Sequence, residues 1–557
     1  MQTLTPEAAL LPWLTILVVV PLVAAALVWF VAPLRRAAQP VGFVVSLGVF
    51  GISVAMAAGF DTGAAGAYQF SEHAAWIPAL GVSYAVGVNG LGLLMVLLTT
   101  FLVPIVLASS WRDLGGGPVV GGHAAAGLEG AAAQRAQSRH AQRQAGYVAL
   151  VLVLESLIIA VFAARDLFLF YVAFEAVLIP VYFLIGAYGG VRRRYAAVKF
   201  LLYSLVGGLV MLASVISLYL AGPGGPDGFL IDNLTGLAFE PAHERWLFLG
   251  MFLAFAIKAP MWPVHTWLPD AAQQGTPGTS TLLVGVLDKV GTFGMIVLCL
   301  PLFPAASAWA APVVVVLALV SIIYGGLLAI GQSDLMRLVA YTSVSHFGFI
   351  VLGVFAFTGT AVTGAGLYMV AHGLATAGLF LVGGMLTARA GTRDIGRFGG
   401  MQRVTPVLAG TFLVAGLASI ALPGLSGFAP EFLVLVGTYA RSVPAGAVAT
   451  AGVVIAALYI LIAYQRVFTG PVRDSLAGTP DLGARERLLL APLVAAMLAL
   501  GFYPAPAIDV LTPVAGETVA AVGVADPTAS AGVADSDGDA RPAEAAAHAG
   551  SVEGSAP

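Results

Sequence analysis

Charge is scarce in this chain. Of its 557 residues 10% are Asp, Glu, Lys or Arg, against 59% hydrophobic residues and a mean hydropathy of +0.95. No water-soluble domain is built from that mixture, which belongs to a polytopic helical membrane protein. Cysteine is nearly missing as well. The single Cys299 excludes a disulfide framework, an iron–sulfur cluster and a cysteine-based zinc site. Neither a glycine-rich dinucleotide fingerprint after a strand nor a phosphate-binding P-loop is present. Any redox or nucleotide chemistry connected with the chain is therefore expected on other chains. Strict alternation is also absent. The apolar runs are continuous over roughly 20 residues, which excludes a membrane β-barrel. Lysine is rare, at 3 against 22 Arg, and with the heavy use of Ala and Gly this suggests a GC-rich bacterial gene. The net charge of -3 identifies no partner, because most charges fall in loops, and nothing in the sequence points to nucleic acid.

What is abundant is long apolar sequence. The amino terminus, MQTLTPEAALLPWL, lacks a basic stretch, and its apolar run continues to about Pro33, too long for a secretory signal. A retained first helix is expected. Fourteen spans are expected in all, near 10–33, 41–60, 88–110, 147–163, 166–188, 197–221, 246–272, 278–300, 310–330, 335–357, 364–388, 404–440, 446–465 and 488–510. The implied fold class is an all-α polytopic membrane protein. Loops on one side hold 19 Lys and Arg and those on the other hold 4, which puts both termini outside the cytoplasm. The two basic residues left over, Lys258 and Lys289, fall inside spans. Residues 112–146, rich in Gly, Ala, Gln and Arg, read as a flexible cytoplasmic loop. Residues 514–557 read as an acidic, Ala-rich, disordered tail that follows the last helix.

The stretch WLFLGMFLAFAIKAPMWPVHTWLPDAA, from Trp246 to Ala272, organises the rest. It starts as an ordinary membrane helix and meets Lys258 twelve residues in, about 18 Å deep in a hydrocarbon core of about 30 Å. Pro260 and Pro263 follow, each removing a backbone donor and clashing with the preceding turn, so the helix is expected to break just after the lysine. Open backbone at that depth is tolerated only inside protein or along a watery cavity, and a buried charge beside a broken helix marks an ion site in transporters.

The positions of charge repeat. Glu175 and Lys258 are 83 residues apart, and His346 and Glu431 are 85 apart. The second pair follows the first by 171 to 173 residues, a distance covering five helices. An odd number of spans inverts the second copy. A second break is expected at LPGLSGFAPEF, where Pro423, Gly424, Gly427 and Pro430 precede Glu431. The expected organisation is three helices in 1–111, the loop 112–146, a first inverted repeat in 147–300 and a second in 301–470. A loop and last helix in 471–513 and the tail 514–557 complete it.

Ionisable groups expected inside the membrane are Glu155, Glu175, Lys258, Asp288, Lys289, His346, His372 and Glu431. A central charge costs about 2.5–3.5 kcal/mol on insertion scales, so the six carboxylates and lysines together cost on the order of 15–20 kcal/mol. Apolar residues of similar volume would pack these places without that cost. Buried ion pairs that fasten helices are the alternative reading. A proton path through Glu175, Lys258, Lys289 and Glu431 is the favoured one. Lysine suits it because burial and a nearby carboxylate act on its proton affinity in opposite directions. Glu175, followed by the helix-kinking Pro180, is the expected modulator of Lys258. His346 and His372 can pass a proton between their two nitrogens. The hydroxyls of Ser343 and Ser345 are candidates to extend the wire. Glu155 is a second candidate modulator, and His265 follows the helix break. Asp288 is adjacent to Lys289 in the chain, so the two side chains point about 100° apart and do not pair. Its counterpart is expected on another helix or subunit. Asp270 and Asp334 are read as helix caps or proton entry sites.

Six stretches in order, FEAVLIPVYFLIGAYGG, FAIKAPMWPVHTWLPDA, VLDKVGTFG, LMRLVAYTSVSHFGF, AHGLATAGLF and LPGLSGFAPEFLVL, resemble the antiporter-like membrane subunits of respiratory complex I. The resemblance covers about residues 145–510. It implies a proton-translocating membrane-arm subunit of a bacterial NADH:quinone oxidoreductase in the inner membrane, driven by quinone reduction elsewhere in the complex. NADH, flavin (FMN), iron–sulfur clusters and quinone are then expected on partner subunits. The expected partners are other complex I subunits, above all neighbouring antiporter-like ones, with protons and the lipid bilayer. The resemblance implies that Glu175, Lys258, Lys289, His346, His372 and Glu431 form the family's central axis of proton carriers. Where sister subunits have lysine in the second broken helix, Glu431 stands here, which implies the branch with glutamate at that position. Asp before Lys289 and the long 112–146 loop depart from many relatives. A subunit of a multisubunit cation/proton antiporter, or a scaffold that pumps nothing, are the rival readings.

Overall fold

A computed structural model describes residues 11–111 and 131–529. Among them twelve helices are long and apolar enough to cross a membrane. Helices are the expected solution, because each closes its own backbone hydrogen bonds where no water is available. The bundle has a clear inside. Leu335–Phe355 is buried along its length except at Arg337 and Pro277–Leu302 is nearly all buried, whereas Ala38–Ala58 leaves most of its apolar surface exposed. Leu335–Phe355 and Gly359–Ala390 pack side by side, with Pro277–Leu302 against them. The central charges of the chain lie on or beside these three helices.

Both expected interruptions are present. Pro241–Lys258 stops at the lysine and the chain resumes as Trp267–Gln274, while Pro406–Ser419 and Phe428–Arg441 are separated by the glycine-containing segment 420–427. Pro180 has the expected effect too. Lacking its amide donor, it divides the fifth span into Leu167–Ala176 and Leu178–Tyr188.

Three expectations are corrected. The chain is mostly but not purely helical, because Gln69–Ile77 and Val82–Val88 form an antiparallel two-stranded sheet. Its apolar strand VSYAVGV is too short to span, and Gly81 adopts φ 69°, a left-handed conformation that glycine takes without strain. The segment read as a loop ending at 146 is helical from Ala131, as part of Ala131–Ala163. Ala, Gln and Arg are good helix formers, and here they extend a membrane helix past the apolar region. The remainder of that expected loop, 112–130, lies outside the described residues. The region read as a last span at 488–510 and a structureless tail contains two helices, Ala484–Phe502 and Ala505–Val522, parted at Pro504. The second buries Val510, Leu511, Val514, Ala515, Thr518, Val519 and Val522, one stripe at helical spacing, against Gly359–Ala390. Asp526 then ties the chain down by accepting the Gly359 N–H at 2.7 Å. Residues 530–557 of the expected tail lie outside the described ones.

Candidate functional site

Lys258 is the last residue of its half-helix and is completely buried. The break beyond it is held by substitute partners. The Trp267 indole N–H donates to Ile257 O at 2.9 Å, and the Trp262 N–H donates to Ser321 Oγ at 2.9 Å. These bonds replace helix bonds lost around Pro260 and Pro263, and the Trp262–Pro263 peptide is cis. Among the described residues the Lys258 ammonium has no hydrogen-bond partner; it rests over the rings of Phe174 (4.9 Å) and Phe200 (5.4 Å). Such faces attract a cation without fixing a proton. Glu175, in the last turn of Leu167–Ala176, is half-buried, and its charge attracts that of Lys258. Its carboxylate lies against the bare backbone of Gly208, where a Cβ would fall 1.6 Å from Oε1. That acid has space because the facing helix carries no side chain there.

Lys289 belongs to a different neighbourhood. It follows a π-helical turn, Leu283–Leu287, and a second, Met295–Cys299, lies beyond it. Such turns leave carbonyls without their ordinary partners and collect at functional sites. Lys289 Nζ donates to the Val284 carbonyl at 2.6 Å and to His372 Nδ1 at 2.7 Å. The His372 and His346 rings meet edge to face, with centroids 5.3 Å apart. His346 Nε2 is hydrogen-bonded to the Tyr459 hydroxyl at 2.8 Å. The Tyr368 ring lies 5.9 Å from that of His346, and its hydroxyl donates to Glu431 Oε2 at 2.7 Å. Glu431 sits in the first turn of Phe428–Arg441, where unpaired amide dipoles favour an anion. Lys289, His372, His346, the two tyrosines and Glu431 thus form one buried polar line.

The remaining candidates separate. Glu155 is buried, with both oxygens unpartnered among the described residues. His265 is buried edge-on to the rings of Tyr324 and Tyr341, with neither ring nitrogen bonded. Asp288 is buried with both carboxylate oxygens unpartnered. Asp334 is a cap, accepting the Arg337 N–H at 3.0 Å, as expected. Asp270 is no cap. It clamps Lys199 at 2.7 Å and Arg337 at 2.6 Å, joining three helices. Ser343 and Ser345 donate to the carbonyls of Val339 and Ile322, so their hydroxyls are not aimed at His346 as expected. Three contributors were missed from sequence. Tyr368 was findable, since it precedes His372 by four residues on one helix face. Tyr459 and Gly208 left no local signal; tertiary packing alone brings them in.

The fold and the polar line define the class. A family model described as NADH:quinone oxidoreductase/Mrp antiporter, TM, matches residues 164–457, more than half the chain. The chain shares 46% identity over 528 residues with NADH-quinone oxidoreductase subunit M of Mycobacterium tuberculosis, covering 93% of this chain and 95% of that one. The same-named subunit of Rhodobacter capsulatus is 37% identical over 90% of this chain and 95% of that one. A chain in a solved structure titled respiratory complex I from Thermus thermophilus with bound NADH superposes with a TM-score of 0.80 at 32% identity, covering 92% of this chain and all of that one. A chain of the Mrp complex from Dietzia superposes at 0.77 with 22% identity, over 92% of this chain and 99% of that one, a likeness of fold alone. The chain belongs to the NADH-quinone oxidoreductase subunit M family.

Proposed function

We propose that this chain carries protons across the membrane through Glu175, Lys258, Lys289, His372, His346 and Glu431, as a membrane-arm subunit of an NADH:quinone oxidoreductase. The observation that carries the reading is the buried polar line from Lys289 to Glu431 in the centre of the bundle, in which Lys289–His372, His346–Tyr459 and Tyr368–Glu431 are hydrogen-bonded pairs and His346 touches the rings of His372 and Tyr368. A scaffold has no use for a chain of proton-exchanging groups at that position, since apolar side chains pack such a site at lower cost. The Lys258 ammonium lacks hydrogen bonds and is held chiefly by electrostatics. Moving or neutralising Glu175 weakens that hold and frees a proton. Quinone reduction on a partner subunit supplies the electrostatic impulse, and NADH, flavin and iron–sulfur centres reside on other chains. The wider organisation proposed is fourteen spans in a bacterial inner membrane, both termini outside the cytoplasm, with two inverted five-helix repeats. Lys258 then closes one half-helix and Glu431 opens another.

The test is Lys258→Ala, with Glu175→Ala beside it, in the assembled complex in native membranes. The expected result is at least a tenfold loss of quinone reductase activity and of proton uptake, with the complex intact. Unchanged turnover in an assembled variant refutes the proposal, and loss of assembly alone supports a scaffold.

A further inference from the structure

The proposed path has a gap. Lys258 has no hydrogen-bond partner, and Lys289 turns toward Val284 and His372. Neither lysine nitrogen is hydrogen-bonded to the other, so no direct transfer between them is set up. Resting on the proton-transfer reading above, we infer that Asp288 is the proton carrier that joins the two halves, accepting from Lys258 and delivering to Lys289.

The placement comes from helix packing. Asp288 and Gly291 are three residues apart, so they share a face of Pro277–Leu302. That face presses on the break beside Lys258: a Cβ on Gly291 would fall 2.4 Å from Phe255 O and 2.6 Å from Ala259 N. Asp288 therefore looks toward the end of Pro241–Lys258, where the lysine sits. On the other side, Gly285 approaches Gly373, and Lys289 reaches His372. The π-turn sets these two directions, with the Asp288 N–H bonded five residues back to Leu283 O at 3.1 Å. Adjacent residues thus address two different neighbours. The Asp288 carboxylate is buried, both its oxygens are free of partners, and its charge acts on both lysines. A carboxylate kept only as a structural counter-ion would make a contact ion pair with one of them, and none is formed among the described residues.

The step balances. The Lys258 ammonium gives its proton to the Asp288 carboxylate, leaving a neutral amine and a carboxylic acid. The acid then gives that proton to a neutral Lys289 amine, restoring the carboxylate and forming an ammonium. Lys289 becomes available for this after passing a proton to His372 Nδ1.

The experiment uses the whole complex in native membranes. Asp288→Asn, Asp288→Ser, Asp288→Glu and Lys258→Ala are compared for assembly, for NADH oxidation by a water-soluble acceptor, and for quinone reduction with proton uptake. The expected result for Asp288→Asn and Asp288→Ser is intact assembly, unchanged soluble-acceptor activity and at least a tenfold loss of quinone reduction and pumping. Asp288→Glu is expected to recover more than half of both. Normal turnover in Asp288→Asn with Lys258→Ala inactive overturns the assignment of Asp288 and leaves the wider reading standing. Normal turnover in both overturns the wider reading. Failure of both Asp288→Asn and Asp288→Ser to assemble also overturns the inference, in favour of a structural counter-ion.

Discussion

Gly208 offers a way to move Glu175 without removing it. A methyl group there would lie 1.6 Å from Oε1, 2.4 Å from Cδ and 3.0 Å from Oε2 of Glu175. Contacts shorter than 3.0 Å force a shift, so Oε1 must withdraw by at least the 1.4 Å between 1.6 and 3.0 Å. The carboxylate is the free end of a flexible side chain, so it yields and the helices stay where they are. Glu175 and Lys258 form no contact ion pair among the described residues, so their charges lie more than 4 Å apart, and at an effective dielectric of about 20 a withdrawal of that size weakens their attraction by at most about 1 kcal/mol. A loss of about 1 kcal/mol is about a fivefold change in an equilibrium. Gly208→Ala is therefore expected to assemble normally and to lower coupled quinone reduction, by up to about fivefold, in membrane vesicles. Glu175→Asp withdraws the carboxylate by one methylene, about the same distance. The double variant is then expected to be no worse than Glu175→Asp alone, because the space at position 208 has already been vacated. Full activity in Gly208→Ala, or losses that simply add in the double variant, would refute the reasoning.

Further outcomes follow from other contacts. Tyr459→Phe removes the hydroxyl bonded to His346 Nε2 at 2.8 Å. It is expected to reduce pumping several-fold in an assembled complex, and an unchanged rate takes Tyr459 off the path. Trp267→Phe leaves the Ile257 carbonyl beside Lys258 unpaired, at a cost of about 1–3 kcal/mol. A lowered midpoint of thermal inactivation of the purified complex checks it. Burial alone would raise the Glu486 carboxyl, but Arg389 at 2.6 Å and the Gly483 N–H at 2.8 Å hold it below its ordinary range. A depressed carboxyl stabilises the fold above its unfolded-state value and loses that contribution as pH falls. Glu486→Gln is thus expected to lower thermal stability at neutral pH, with the difference from the parent starting to shrink as pH falls below about 4.5 and vanishing only below the depressed folded-state value. A constant difference across that range would contradict the pairing.

Where the sequence read correctly, local chemistry was sufficient. A proline cannot donate its missing N–H in any surroundings, so the interruptions after Lys258 and around Pro180 were visible in advance. Where it misread, the signal was diluted. The helix Ala505–Val522 carries its apolar stripe among Pro513, Gly516 and Glu517, so it resembled a structureless tail. The strand Val82–Val88 is legible only as a short run of alternating character, easily lost between two long apolar spans.

The sequence by itself determined that this is a helical membrane protein with charges buried in its centre and two of its helices broken. Each of these follows from composition, from apolar length or from backbone chemistry within a few residues. Which charges meet was decided only by the tertiary structure. Lys289 and His372 are 83 residues apart, and His346 and Tyr459 are 113 apart, yet both pairs are hydrogen-bonded. Contact between side chains on different helices depends on how the helices rotate and how closely they approach, and small residues such as Gly208 and Gly291 set that approach. No local periodicity encodes that rotation. The buried ionisable residues were therefore identifiable before folding, and which of them meet became visible only after it.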